Sequence, residues 1–261
     1  MSIPEQSAAK TVIPQGAPRL ISLPQKNVVA KFFNFGYTLN QLKLWGKQMI
    51  LLLTLCALAG YLAGSIPFGL VLCYLAGYGD IRKIGSHNIG ATNVLRTGNK
   101  WLALLTVILD ALKAGLAAFA AYKLSPNLTI GEFAHQPLNL QDLASLVAGT
   151  CGVLGHNFPI WLNFKGGKGV ASAFGFILMT QPYVALIAFG IWLTMAFAFR
   201  YSSLAALTAA TAMPVIAFFM CPPIYAAFYT GLALLVIVRH HANIGRLLKG
   251  TESKISFKKK S

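Results

Sequence analysis

Acidic side chains are scarce in this sequence. Only six of its 261 residues are Asp or Glu, against 22 Lys or Arg, and charged residues of both signs make up 11% of the chain. A soluble domain carries roughly a quarter. No dyad of carboxylates, no Ser/His/Asp pattern and no HEXXH can be read in the chain, so catalysis by paired carboxylates, by a nucleophilic triad or by a zinc-activated water has no footing. The HxxxxD pattern of soluble and peripheral acyltransferases is also missing: five positions after His87, His135, His156, His240 and His241 stand Thr92, Leu140, Trp161, Gly245 and Arg246. Cysteine is sparse as well. Cys56, Cys73, Cys151 and Cys221 lie far apart in apolar segments, with no CxxC or Cys/His ligand spacing, and read as buried thiols. The adjacent pair His240-His241 makes a poor metal site, because neighbouring side chains on a helix diverge and no carboxylate accompanies them. Neither a metal nor a cofactor is implied. The ~10-residue alternating segments of an outer-membrane barrel are absent too.

What the chain has instead is apolar length. Hydrophobic residues make up 56% of it, and no charge falls between Met49 and Tyr74. A span needs ~20 predominantly apolar residues to cross ~30 Å of hydrocarbon. Helices are the solution that satisfies the backbone within each segment. Apolar runs occur at about 49–76, 101–122, 141–162, 169–180, 183–199, 203–221 and 223–239. Thr180-Gln181-Pro182 divides the fourth run from the fifth, so proline either kinks one long helix or ends one and starts another. Charge favours the second. With seven crossings the basic connections 77–100 (Arg82, Lys83, Arg96, Lys100) and 163–168 (Lys165, Lys168), Arg200 and the tail from Arg239 to Lys260 share one side. The other connections hold one Lys/Arg between them, Lys123. The expected fold is an all-α integral membrane protein, a compact bundle of about seven transmembrane helices without a large soluble domain. The net charge of +16 reads as positive-inside topology plus attraction to anionic substrate or lipid, rather than as a nucleic-acid footprint.

Residues 1–48 differ from the rest. They hold Pro4, Pro14, Pro18 and Pro24, six Lys/Arg and no spanning run, and they lack the short apolar stretch and cleavage site of a secretory signal. They read as a disordered or surface extension, or as the product of a mis-assigned start ahead of Met49. Their six basic residues fall on the side opposite the other basic connections. The remaining divisions are a transmembrane domain over 49–250 and a basic tail over 251–261.

Three polar clusters interrupt the apolar sequence. The first is Gly85-Ser86-His87-Asn88-Ile89-Gly90-Ala91-Thr92-Asn93-Val94-Leu95-Arg96. Its glycines let backbone N–H groups approach an anion, Ser86, Asn88, Thr92 and Asn93 add donors, and Arg96 offers a planar fork for phosphate. The same residues also suit a capped turn. In the second, Gly155-His156-Asn157-Phe158-Pro159 is followed by Asn163-Phe164-Lys165-Gly166-Gly167-Lys168-Gly169. Two lysines bracket two glycines before an apolar helix, which places cations and free amides at a helix N-terminus. It is not a P-loop, since Leu162 and Gly169 stand where Gly and Ser/Thr are required; a basic juxtamembrane loop is the plainer alternative. The third joins Arg200-Tyr201-Ser202-Ser203 with Arg239-His240-His241-Ala242-Asn243-Ile244-Gly245-Arg246, followed by Lys249, Glu252 and Lys254. A positive-inside stop signal explains its arginines but not His240 and Asn243, which share a helix face with Arg246 at three-residue steps. Asp110 and Lys113, one turn apart inside the second span, read as a structural ion pair.

Taken together, Gly64-Ser65-Ile66-Pro67, GSHNIGATNVLR (85–96), GHNFPIWLNFKGGKGVA (155–171), RYSSL (200–204) and RHHANIGRLLKGTE (239–252) resemble the bacterial acyl-phosphate:glycerol-3-phosphate acyltransferase family. The resemblance covers roughly 49–254, with the motifs in the family's order. His87 stands where the family usually has Gly. The resemblance implies a seven-helix inner-membrane enzyme, its site facing the cytoplasm, that moves a fatty acyl group from acyl phosphate to the sn-1 hydroxyl of glycerol 3-phosphate, giving lysophosphatidic acid. A soluble acyl-phosphate synthase is the implied upstream partner. Carried over residue by residue, the substrate and phosphate contacts are Ser86, Asn88, Asn93, Arg96, Lys165, Gly166, Gly167, Lys168, Ser203, His240, Asn243 and Arg246. His240 or His156 is the candidate if a protein base is used, although a substrate phosphate oxygen can take that role. A transporter of an anionic metabolite is the competing class; paired repeats and midplane sites, its usual marks, are not visible here.

Overall fold

The computed structural model describes residues 28–255, with side chains detailed from residue 41. The chain divides into two compact units, Met1–Lys47 and Gln48–Ser261. The described part of the first unit is helix, the opening portion of α1 (Val28–Gly64). The extension read as disordered or surface chain is therefore helical from Val28 onward. Its last proline is Pro24, so no residue beyond that point lacks the N–H a helix needs. Residues 1–27 lie outside the described residues.

The second unit continues through α2 (Phe68–Leu75), α3 (Ala91–Val94), α4 (Lys100–Leu124), β1 (Thr129–Phe133), β2 (Gln136–Asn139), α5 (Leu140–Asn157), α6 (Val170–Thr180), α7 (Pro182–Phe199), α8 (Ser202–Met220), α9 (Pro223–Arg239) and α10 (His241–Leu248). All seven apolar runs of the sequence are helical. Among the described residues, five stretches are long and apolar enough to cross a bilayer: Gln41–Leu75, α4, Leu140–Leu162, α7 and α8. The pair α9 and α10, bent by 61°, makes a sixth if counted as one span. The remaining run, α6, has 11 residues. At 1.5 Å per residue it is only roughly 17 Å long. Gln181 leaves helical geometry (φ −141°, ψ 78°) and Pro182 heads the first turn of α7, so the TQP segment ends one helix and begins another.

Backbone interruptions are satisfied from neighbouring helices. Pro67 has no N–H, and α1 stops at Gly64. The Ile66 carbonyl freed at this break accepts a 2.8 Å hydrogen bond from Lys113 Nζ on α4. The central helices approach closely through small residues, as bilayer helices do when no hydrophobic effect drives them together. A Cβ at Gly64 would strike the Gly152 carbonyl of α5, and one at Gly175 of α6 would strike the Ala111 carbonyl of α4. Phe176, Leu146, Val153, Met213 and Tyr229 form the main apolar core between α4, α5, α6, α8 and α9. An antiparallel hairpin of β1 and β2 precedes α5. In the sequence this stretch is simply the connection between two apolar runs. The turn residues Ala134 and His135 both take positive φ (50° and 63°), and neither is a turn former that would announce a hairpin.

Candidate active site

The first loop is organised from inside by Asn93. This residue is 1% exposed. Its Oδ1 accepts from the Ser86 amide at 3.0 Å, and its Nδ2 donates to the Ile81 and Asn88 carbonyls at 2.7 and 2.8 Å. The Asn93 side chain is thus engaged by backbone and shapes the loop. Asn88 caps its own turn, Oδ1 accepting from the Ile89 amide at 2.8 Å. Ser86 and Arg96 are exposed at the loop surface. His87 has φ 56°, the left-handed conformation for which glycine is the usual solution. Its Nδ1 donates to the Arg82 carbonyl at 2.8 Å, which holds the strained turn.

The second loop departs from the sequence expectation. Gly166 and Gly167 do not offer free amides: their N–H groups donate to the Asn157 and His156 carbonyls at 3.2 and 3.0 Å. The cause lies in α5, whose C-terminal carbonyls need donors where the helix ends. The carbonyls of the two glycines are used as well, accepting from Arg239 Nη2 at 2.9 Å and Nε at 3.0 Å. A Cβ on Gly167 would collide with the His156 imidazole, so the loop lies directly on that ring. Lys165 is exposed beside it, and Lys168 turns inward.

Lys168 leads to the centre of the arrangement. Its Nζ donates to Asn243 Oδ1. Asn243 Nδ2 donates to Glu252 Oε1 at 2.6 Å, Ser203 Oγ donates to the same oxygen at 2.7 Å, and Arg246 Nε donates to Oε2 at 2.6 Å. Arg96 reaches the same segment, its Nη2 lying 3.4 Å from Ser253 Oγ. Ile255 and Arg200 exchange backbone and side-chain hydrogen bonds at 2.6–3.2 Å. Residues 251–255, assigned from sequence to a tail, therefore fold back over the start of α8; residues beyond 255 lie outside the described residues. Through this strap Arg96, Lys168, Ser203, Asn243 and Arg246 come together at one end of the bundle.

The charges tune one another. Burial opposes ionisation of Glu252, but hydrogen bonds from Ser203, Asn243 and Arg246 outweigh it and hold the carboxyl below its ordinary range. Burial pushes the Lys168 ammonium below the usual lysine range. Glu252 counteracts that, while Arg246, Arg239 and Arg96 reinforce it. His240 is 3% exposed at the α9–α10 bend. Its Nδ1 lies 2.8 Å from the Val236 carbonyl. A carbonyl can only accept, so Nδ1 carries the proton and Nε2 of the neutral ring is left as an acceptor.

His156 sits apart from these groups, beneath the glycine loop. Its Nδ1 lies 3.5 Å from Asp110 Oδ1, and Lys113 Nζ lies 2.8 Å from the same oxygen. The expected Asp110–Lys113 pair is thus part of a three-residue buried cluster. A base in this position faces the underside of Gly167 rather than the polar network.

The family model described as glycerol-3-phosphate acyltransferase matches residues 54–250. The chain belongs to that family. A glycerol-3-phosphate acyltransferase of Rhodospirillum rubrum is 55% identical over 211 residues, covering 81% of this chain and 94% of the relative. One of Mesorhizobium japonicum is 52% identical over 206 residues, covering 79% and 97%. Among solved structures, the integral membrane glycerol 3-phosphate acyltransferase PlsY (YgiH) in its glycerol 3-phosphate form superposes with a TM-score of 0.69 at 35% identity, covering 78% of this chain and 96% of that one. Its lysophosphatidic acid form gives 0.67 at 34%. The family assignment makes this chain a multi-pass membrane acyltransferase acting on glycerol 3-phosphate.

Two residues of the site escaped the sequence reading. In the sequence Glu252 merely follows the third cluster and carries no role, yet it is the acceptor on which three candidate residues converge. A signal existed: it is the only acidic residue after Asp142, set among Arg246, Lys249 and Lys254. Arg239 was read as a stop signal, and it instead binds both glycine carbonyls while its guanidinium lies 5.1 Å from the Phe158 ring centroid.

Proposed function

We propose that this acyltransferase takes its acyl group from an acyl phosphate and delivers it to the sn-1 hydroxyl of glycerol 3-phosphate, releasing lysophosphatidic acid and phosphate. The observation that carries this reading is the cationic network around Glu252: Arg96, Lys168 and Arg246 gather at one end of an apolar bundle with one carboxylate among them. Both substrates are phosphate anions, and both need cations at their head groups. An acyl phosphate is a mixed anhydride, activated before it arrives. The hydroxyl oxygen attacks the acyl carbonyl, the new ester bond forms, the acyl–phosphate C–O bond breaks, and the hydroxyl proton passes to a phosphate oxygen. Proximity and charge stabilisation then account for most of the catalysis.

In this reading Arg96, Lys165, Lys168 and Arg246 hold phosphate, with Ser86, Asn88, Ser203 and Asn243 as polar contacts. Asn93, Gly166 and Gly167 fix the two loops. His240, through Nε2, is the better placed base if the protein supplies one; His156 is shielded by the glycine loop. The basic connections favour an inner-membrane location with the site facing the cytoplasm, where a soluble acyl-phosphate synthase would feed it. The test uses purified protein in detergent with labelled glycerol 3-phosphate and acyl phosphate, acyl-CoA or an acyl carrier protein thioester as donor. Transfer from acyl phosphate alone is expected. Transfer from a thioester alone would overturn the donor assignment.

A further inference from the structure

The run Gly166-Gly167-Lys168-Gly169 lies against the end of α5 with no room for side chains on its glycines. A Cβ on Gly166 would strike the His156 carbonyl, one on Gly167 the His156 ring at Nε2, and one on Gly169 the Asn157 side chain. Glycine at these positions lets the loop close onto α5. The Gly166 and Gly167 amides bond the Asn157 and His156 carbonyls, and Arg239 bonds the carbonyls of the two glycines. Lys168 is the one long side chain of the run. Its Nζ bonds Asn243, which in turn bonds Glu252. Where that ammonium stands is therefore set by how the loop rests on the His156 ring.

The ring has a support of its own. His156 is 4% exposed, and its Nδ1 faces Asp110 Oδ1 at 3.5 Å. That separation exceeds a normal hydrogen bond, so the contact is electrostatic. A carboxylate opposite Nδ1 favours the ring proton on that nitrogen, and the Nε2 edge is the one against Gly167. The same Asp110 oxygen lies 2.8 Å from Lys113 Nζ, and Lys113 also donates to the Ile66 carbonyl where α1 gives way to α2. Charges inside a span are costly, and a buried pair adds little to stability. Stability is thus a poor reason for setting two charges of α4 beside this ring.

We infer that His156 and Asp110 are positioning residues for Lys168. Asp110 holds the ring, the ring supports Gly167, and the supported loop places the lysine ammonium among the phosphate contacts. His156 acts here through the loop and not as a base. The inference rests on the proposed function, in which Lys168 binds phosphate.

The experiment is a double-mutant cycle in steady-state kinetics, run on the full chain in detergent with His156→Ala, Lys168→Ala and the two combined. His156→Ala is expected to raise the same KM that Lys168→Ala raises, by about tenfold, with kcat within about threefold, because small misplacements of a binding group are expensive. In the combined variant KM should stay within about twofold of Lys168→Ala alone, since the loop then has no ammonium to place, whereas independent residues multiply their effects. The charge-neutral pair Asp110→Asn with Lys113→Met should raise the same KM by a smaller factor and likewise add nothing to Lys168→Ala. It carries the test if His156→Ala does not accumulate. Effects that multiply would give the cluster a purely structural role and overturn the inference. A loss confined to kcat in His156→Ala would make the ring a catalytic base and overturn it equally. An unchanged KM in Lys168→Ala fails the phosphate assignment of Lys168 in the proposed function and takes the inference with it, a result seen in the single variant and separate from any coupling.

Discussion

Removing the Glu252 carboxylate leaves Ser203, Asn243 and Arg246 without their common acceptor. A buried polar group that loses its partner costs about 1–3 kcal/mol. Glu252→Ala is therefore expected to lower the thermal midpoint in detergent and abolish transfer, with Glu252→Gln intermediate; an unshifted midpoint in both would remove Glu252 from the centre of the network. Its depressed pKa fixes the sign of the pH dependence. The stabilisation it provides is fully present above the ordinary carboxylate range and is lost as pH falls through the lowered native value. Lys168 works from the other side: with its pKa lowered, its charge is lost at less alkaline pH than for an exposed lysine. The alkaline limb of kcat/KM should move to higher pH in Lys168→Arg, which stays charged. Arg96→Ala and Lys168→Ala should each raise KM for a phosphate substrate by about 10–150-fold, equivalent to ~1.5–3 kcal/mol for a charge-assisted contact. Steady-state kinetics near wild type in both would exclude them from phosphate binding. The sequence made these cations legible because Gly, Asn and Lys stand out in an apolar chain. It did not reveal which polar groups were already spent. Asn93 and the two glycine amides look like ligand donors until the backbone that uses them is in view.

At the scale of elements, the buried charges decide how α4 is held. Lys113 ties Asp110 to the Ile66 carbonyl at the break between α1 and α2, and Asp110 in turn faces His156. Removing one member of a buried pair is more damaging than removing both, because an uncompensated charge remains. Lys113→Met should destabilise the protein by about 3–5 kcal/mol in detergent unfolding, and the double substitution Asp110→Asn with Lys113→Met should recover part of that loss. A double substitution no better than the single one would show that Lys113 acts chiefly through Ile66. The Asp110–Lys113 pair could be read from the three-residue spacing inside a span. The third partner could not, because His156 arrives from a different helix. The break between α6 and α7 was legible in Thr180-Gln181-Pro182, since proline lacks the N–H that continues a helix. The hairpin of β1 and β2 was not, because Ala134 and His135 give no turn signal and its register depends on pairing rather than composition.

For the whole molecule, apolar run length and charge asymmetry conveyed the membrane bundle, whereas the helical course of Val28–Gln48 was hidden by the prolines before it. A truncation beginning at Met49 keeps the apolar stretch to Leu75 and every polar cluster. It is expected to insert in the same orientation and to transfer acyl groups at the full-length rate, as measured by C-terminal accessibility and the donor assay. Loss of insertion would show that the helix preceding Met49 is needed. The strap carrying Glu252 also imposes an order in time. The polypeptide emerges from the ribosome amino end first, so the segments forming α1 to α9 are made before Glu252 is. Until then Ser203, Asn243 and Arg246 have no shared acceptor, and Lys168 faces Arg96, Arg239 and Arg246 without a countercharge. A chain shortened to end before Glu252 is therefore expected to insert its helices and still transfer no acyl group, as membrane fractionation and the donor assay would show, because the carboxylate that fastens the mouth is the last part of it to be made.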